Sequence, residues 1–215
     1  MRDDRQEKLL NFLHPVAVVP VLTIEDRDIA IPLAKALVAG GLTALEVTLR
    51  TKAGADCIRA IAAEVEGANV GAGTVLDRRQ LDEAVAAGAQ FLVSPGATPG
   101  HVAAARDCPV PFLPGVATAG EAMTLAEAGF AFLKFFPAEP AGGIAYLKAL
   151  AAPLPNLRFC PTGGIGARNA PDYLALPNVI CVGGSWVAPQ DALAAKDWAR
   201  ITALSREAAR MKGPG

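Results

Sequence analysis

The segment Val16-Ala17-Val18-Val19-Pro20-Val21-Leu22 is short, apolar and rich in β-branched residues, and predicts a strand buried on both faces. Residues 26–39 then predict a helix, stopped by Gly40-Gly41. A second strand follows at once in Ala44-Leu45-Glu46-Val47-Thr48-Leu49-Arg50. Strand, helix and strand in so short a span make a parallel crossover unit, because a parallel pair needs a return of about a dozen residues.

The unit recurs outward along the chain. Further strands are expected at 69–76, 91–95, 111–114, 132–136, 158–161 and 179–182. Alanine-rich helices are expected at 53–66, 78–87, 99–106, 119–128, 143–151, 167–176 and 197–211, and a short amphipathic helix at 8–14 precedes the first strand. Eight buried strands alternating with helices predict an α/β fold, a (β/α)8 TIM barrel with a short N-terminal helix, forming a single domain over residues 1–215. A doubly wound open sheet is the competing arrangement, but no GxGxxG fingerprint follows the first strand.

Composition narrows the classes of function. The chain has 215 residues, 52% of them hydrophobic, with 21 glycines and 17 prolines placed as punctuation. That profile suits a packed domain with short loops and is too apolar for disorder. A net charge of −1 supplies no basic field to draw nucleic acid or an anionic membrane. Cys57, Cys108, Cys160 and Cys181 are widely spaced, which favours buried reduced thiols over disulfides or metal ligands. With His14 and His101 as its histidines, the chain is expected to hold no metal. The start, Met1-Arg2-Asp3-Asp4-Arg5-Gln6-Glu7-Lys8, is charged and carries no leader-like apolar core, and no apolar run reaches membrane-spanning length. The expectation is a soluble protein of the cytoplasm.

Barrel enzymes build their sites at the carboxyl ends of the strands, so polar residues on strands carry the chemistry. In Phe132-Leu133-Lys134-Phe135-Phe136-Pro137 a lysine sits inside an apolar, aromatic run. An ammonium there loses hydration, which favours the neutral amine, a nucleophile toward carbonyl carbon. The alternative is a stem packed at a strand end with its head in water. Strand alternation puts Glu46, Thr48 and Arg50 on one face of the second strand, with Glu46 about 13 Å deeper than Arg50. If Lys134 shares that inward face, glutamate and lysine meet in one cavity. A structural ion pair is the rival reading, though such a pair is seldom a net stabiliser. Arg50 offers a planar fork for a carboxylate, or is simply a solvated strand-end charge.

Two glycine-rich turns, Thr162-Gly163-Gly164-Ile165-Gly166 and Gly183-Gly184-Ser185, follow the seventh and eighth strands, where barrels commonly hold phosphate; tight turns alone are the alternative. Gly71-Ala72-Gly73-Thr74 and Ser94-Pro95-Gly96 end the third and fourth strands, leaving room for a ligand to which Thr74 can donate, or serving only as turns. His101 is expected on an exposed helix surface and His14 at a chain turn.

Glu46-Val47-Thr48-Leu49-Arg50, Gly71-Ala72-Gly73-Thr74-Val75-Leu76, Ser94-Pro95-Gly96, Lys134-Phe135-Phe136-Pro137-Ala138, Phe159-Cys160-Pro161-Thr162-Gly163-Gly164 and Val182-Gly183-Gly184-Ser185-Trp186 together resemble the 2-keto-3-deoxy-6-phosphogluconate aldolase family, in order and across nearly the whole chain. The resemblance implies a class I aldolase without cofactor or metal, a (β/α)8 fold and a homotrimer. Its substrate would be the phosphorylated keto acid 2-keto-3-deoxy-6-phosphogluconate, cleaved to pyruvate and glyceraldehyde 3-phosphate in the Entner–Doudoroff pathway. Many members also cleave 4-hydroxy-2-oxoglutarate to pyruvate and glyoxylate. By motif, Lys134 would form the imine and Glu46 would shuttle protons. Arg50, Thr74 and Pro95 would hold the pyruvate end, with Phe135 beside the imine. Thr162, Gly163, Gly164, Gly184 and Ser185 would line the phosphate end. The rivals are a phosphate-binding barrel isomerase or epimerase, and a non-catalytic phosphosugar-binding protein; neither accounts for Lys134.

Overall fold

A computed structural model describes residues 4–211; the charged start Met1-Arg2-Asp3 and the last four residues lie outside the described residues. Helix α1 (Asp4–Leu13) leads into β1 (Val18–Leu22), and a single 3-10 turn (Arg27–Ile29) precedes α2 (Ala30–Ala39). The chain continues through β2 (Ala44–Thr48), α3 (Gly54–Glu64), β3 (Asn69–Gly73), α4 (Arg78–Ala86), β4 (Leu92–Val93) and α5 (Pro99–Asp107). Then come β5 (Phe112–Leu113), β6 (Gly115–Val116), α6 (Ala119–Glu127), β7 (Phe132–Phe135), α7 (Gly143–Ala151) and β8 (Arg158–Pro161). The last elements are α8 (Ala170–Leu174), β9 (Val182–Gly184), α9 (Gln190–Ala194) and α10 (Trp198–Ala209).

The α/β fold of parallel strands is as expected. Six strands form one curled sheet in the order β5-β4-β3-β2-β1-β9, three form another in the order β6-β7-β8, and all pairings are parallel. Several boundaries differ from the sequence reading for local reasons. The expected fifth strand is divided at Pro114, which has no N–H to donate, although its carbonyl still accepts the Lys134 N–H at 2.8 Å. The expected eighth strand lies a few residues later, because Gly183 and Gly184 pair with Val19 and Pro20 of β1 and are strand rather than turn. The helix expected at 26–39 starts at Ala30, since Asp26 caps the 3-10 turn through the Asp28 N–H at 2.9 Å. Helix α9 was not anticipated.

Alternation along the strands divides the interior into two cores. Val18, Leu92, Phe112, Leu133 and Phe159 face the helices and join the larger cluster. Their neighbours Val19, Val93, Leu113, Phe132 and Cys160 face the other way, into a smaller cluster that Leu9 and Leu13 of α1 close from below. Helix α1 is held there by Gln6, whose Oε1 accepts the N–H groups of Ala131 and Phe132 at 3.1 and 3.3 Å. The smaller cluster identifies the concave face, and by parity Glu46 and Lys134 lie on it, above Ala44 and Phe132.

Candidate active site

Lys134 and Glu46 meet on that face. Lys134 Nζ donates to Glu46 Oε1 at 3.0 Å and lies 3.4 Å from Oε2, and the two residues are 4% and 3% exposed. The ammonium lies 5.5 Å from the centre of the Phe136 ring. Strand β7 reaches this position beside Gly115 of β6 and Cys160 of β8, whose small size leaves room for the lysine. Room for the carboxylate comes from Gly73. A Cβ there would fall 2.6 Å from Glu46 Cγ and nearer still to Oε1. Gly71 in turn admits the ring of Phe91. The space that these two glycines were expected to leave for a ligand is occupied by side chains.

Arg50 sits two residues beyond β2, exposed, while Glu46 lies deep, in the order the strand spacing predicts. Its Nε donates to Thr74 Oγ1 at 3.0 Å. Thr74 holds φ at 59°, an uncommon conformation for a β-branched residue and one that aims its hydroxyl away from the course of β3. Pro95 is half-buried, and its backbone passes so close to β6 that a Cβ on Gly115 would lie 2.6 Å from the Gly96 nitrogen.

Across the Phe136 ring from Lys134 lies a cavity of about 280 Å³, lined by Phe136 together with Arg50, Thr162, Gly163, Gly164, Gly184 and Ser185, while Lys134 and Glu46 themselves are not part of its lining. Gly163 and Gly164 take φ of 105° and 79°, which excludes other side chains without strain. Their carbonyls are engaged by the Glu139 N–H at 3.1 Å and by Asn169 Nδ2 at 3.2 Å. Gly183 gives way to Thr162, because a Cβ would stand 3.0 Å from Thr162 Cγ2.

Phe135 is not brought into this cavity. It is fully buried on the helix side of β7, its ring stacked on Tyr146 of α7 with centroids 5.7 Å apart. The cause is alternation: a neighbour of an inward lysine points outward. His101 also departs from its expected place. It is half-buried, its Nδ1 accepts the Thr98 N–H at 3.2 Å in a capping box, and its ring lies against Phe112. His14 is exposed. All four cysteines are buried thiols outside any disulfide.

Two features near the cavity were not singled out from the sequence. Thr23 lines it and touches Thr48, which strand alternation beyond Val21 could have revealed. Tyr173 of α8, wholly buried, donates a hydrogen bond to Glu139 beside the Gly163-Gly164 turn. Burial, and then that bond and the Glu139 charge, hold the Tyr173 hydroxyl above its ordinary pKa of 10.

An amine and a carboxylate buried in contact on the concave face of a parallel α/β fold are the groups that Schiff-base chemistry on a carbonyl substrate requires, and lysine-dependent carbon–carbon lyases are a class that uses them. Residues 9–204 match the family described as aldolase, KDPG and KHG aldolase, and the chain belongs to that family. KHG/KDPG aldolase of Escherichia coli K12 is 54% identical over 191 residues, covering 89% of this chain and 90% of that protein. The structure of 2-keto-3-deoxy-6-phosphogluconate aldolase of Zymomonas mobilis ZM4 with 3-phosphoglycerate superposes with a TM-score of 0.91 at 47% identity, covering 97% of each chain. KDPG aldolase from Legionella pneumophila, with pyruvate captured as a covalent carbinolamine, gives 0.90 at 42% identity over 92% of this chain and 96% of the other. Among the described residues no helix is long and apolar enough to cross a membrane.

Proposed function

We propose that this protein cleaves 2-keto-3-deoxy-6-phosphogluconate to pyruvate and glyceraldehyde 3-phosphate through an imine on Lys134, and cleaves 4-hydroxy-2-oxoglutarate to pyruvate and glyoxylate at the same lysine. The observation that carries the reading is the buried 3.0 Å contact between Lys134 Nζ and Glu46 Oε1. Transfer of a proton along that bond leaves a neutral amine, which attacks the C2 ketone to form a carbinolamine. The protonated Glu46 returns the proton to the departing hydroxyl, and water leaves. The resulting cationic imine draws electrons, so the C3–C4 bond breaks once the Glu46 carboxylate removes the C4 hydroxyl proton. The aldehyde departs, the enamine takes a proton at C3, and hydrolysis frees pyruvate and Lys134.

Arg50, with Thr74 and Pro95, serves the substrate carboxylate, and the fork of Arg50 remains open beyond its Nε bond to Thr74. Thr162, Gly163, Gly164, Gly184 and Ser185 serve the far end, where left-handed glycines let backbone approach a phosphate closely. Phe135 backs β7 from the helix side. The carbinolamine in the Legionella pneumophila relative and the 3-phosphoglycerate in the Zymomonas mobilis relative support the two ends respectively.

We also infer that the two sheets belong to one (β/α)8 barrel and one domain. Strands β5 and β6 are consecutive in the chain across Pro114, and the bridges Phe159 to Val179 and Thr162 to Gly183 join β8 to the β9 side. Family resemblance supports a homotrimer acting in the cytoplasm.

The test is borohydride reduction with pyruvate, read by intact mass and peptide mapping. A pyruvate-derived adduct on Lys134, absent from Lys134→Arg, is the expected result. No adduct in folded protein refutes the Schiff-base reading and returns Lys134 to a structural role.

A further inference from the structure

One hydroxyl on the cavity wall, that of Thr23, touches a second behind it, that of Thr48, and the polarity of the pair is fixed. Val19, Val21 and Thr23 fall on one face of the segment that forms β1; Val19 joins the concave core, while Val21 and Thr23 line the cavity. Thr48 ends β2 and is fully buried. Its Oγ1 lies 3.0 Å from the Leu22 carbonyl oxygen and 3.1 Å from Thr23 Oγ1. A carbonyl oxygen only accepts, and a threonine hydroxyl has one proton. With that proton given to Leu22, the Thr48 oxygen is left to accept, so both contacts hold only when the Thr23 O–H donates to Thr48. The Thr23 proton is thereby turned away from the cavity, and what Thr23 offers a ligand is its oxygen lone pairs.

An oxygen of this kind recognises a hydrogen-bond donor. Phosphate dianions and carboxylates carry only acceptors, whereas an alcohol brings a proton. The same cavity has Arg50 on its wall, and around it the turn of Gly163 and Gly164 and the end of β9 at Gly184 and Ser185. Under the aldolase reading, on which this inference rests, a bound phosphorylated sugar acid runs from the imine to those backbone segments. Its C4 hydroxyl reacts, and its C5 hydroxyl lies in between with no chemical part to play. We infer that Thr23 is a specificity-determining residue that accepts a hydrogen bond from the C5 hydroxyl, with Thr48 and the Leu22 carbonyl holding its proton out of the way. 4-Hydroxy-2-oxoglutarate has a carboxylate carbon at C5 and gains nothing from Thr23. The hydroxyl pair therefore tilts the enzyme toward polyhydroxylated, phosphorylated substrates without touching the reacting carbons.

The test compares wild type, Thr23→Val and Thr23→Ser on three compounds: 2-keto-3-deoxy-6-phosphogluconate, its analogue lacking only the C5 hydroxyl, and 4-hydroxy-2-oxoglutarate. Valine nearly matches threonine in shape but removes the oxygen. Thr23→Val is expected to lower kcat/KM for the first compound about 3- to 10-fold, the effect of one neutral hydrogen bond. It should leave the second and third within about twofold, as a cycle in which each change removes the same interaction requires. Thr23→Ser is expected to restore most of the loss. Equal losses on all three compounds, or no loss on the first, overturn the assignment. If 4-hydroxy-2-oxoglutarate cleavage and the Lys134 adduct persist in that case, the aldolase reading stands and only the role of Thr23 falls. Wild type that cleaves nothing and traps no pyruvate overturns both.

Discussion

Replacing Gly73 by alanine tests whether the Lys134–Glu46 contact depends on the glycine beside it. The added Cβ would stand 2.6 Å from Glu46 Cγ and 2.8 Å from Cδ. Carbon pairs rest at about 3.5–4.0 Å, so the glutamate must retreat by about 1 Å. It has little room to move: Glu46 is 3% exposed, and the oxygen nearest the added Cβ, Oε1, is the one that Lys134 Nζ bonds at 3.0 Å. Either the carboxylate rotates out of reach of Nζ or β2 and β3 part, and both outcomes break the pair. Overpacking of this kind costs about 1–3 kcal/mol, and a broken buried pair about 3–5 kcal/mol. For a chain of this size each kcal/mol lowers Tm by about 2–4 °C, so a fall of about 8–30 °C is expected if both costs are met in full. Turnover should drop at least about 100-fold, since positioned acid–base catalysis supplies about 10² to 10⁴ in rate. Differential scanning calorimetry and steady-state cleavage read the two effects. Gly120→Ala is the control, because a Cβ at Gly120, in the first turn of α6, meets nothing within 4 Å and should leave both readings near wild type. A Gly73→Ala protein with wild-type turnover and a Tm within about 2 °C would refute the idea that this glycine makes the catalytic contact possible.

Glu46→Gln should still trap pyruvate on Lys134, while kcat falls by about 10² or more because an amide cannot exchange the proton; a near-normal kcat removes Glu46 from the mechanism. Alkaline stability offers a test away from the site. Burial, and after it the nearby Asp56, pushes the Cys57 thiol from 9.0 up to about 11, so the folded state holds the proton more tightly than the unfolded one. The stability this supplies is complete below about pH 9 and is lost as pH rises through 11. Burial acts in the same direction on Cys108 and Tyr173. Urea unfolding at pH 8 and pH 10.5 should show a smaller alkaline loss in Cys57→Ala than in wild type, and identical losses would exclude Cys57 as a contributor.

What could be read from the chain was whatever strand alternation or helix periodicity dictates. Counting by twos put Glu46 on the inward face of its strand and left open whether Lys134 shared it; although the two are 88 residues apart, their side chains meet at 3.0 Å. The same count, applied to Phe135, points it at the helices, where its ring packs on Tyr146. The family motif had implied the opposite, a place beside the imine. Parity is therefore the stronger signal on a strand, and sequence neighbours on one are the residues least able to share a site.

The glycines show where such reasoning reaches its limit. A glycine announces that something passes close to the backbone, but not what does. At Gly73 the visitor is the Glu46 carboxylate, at Gly71 the Phe91 ring, and at Gly183 the Thr162 side chain. Gly163 and Gly164, with positive φ, form a turn on the cavity wall, with no such visitor needed to explain them. Each of the others depends on a partner from a different strand, fixed by register and curl rather than by local sequence. The site is thus assembled by two kinds of information: polar residues placed by alternation, and voids placed by packing. The second kind lets a lysine and a glutamate share a space that a side chain at position 73 would invade, which is why the contact is legible in outline from the chain and in its cause only from the fold.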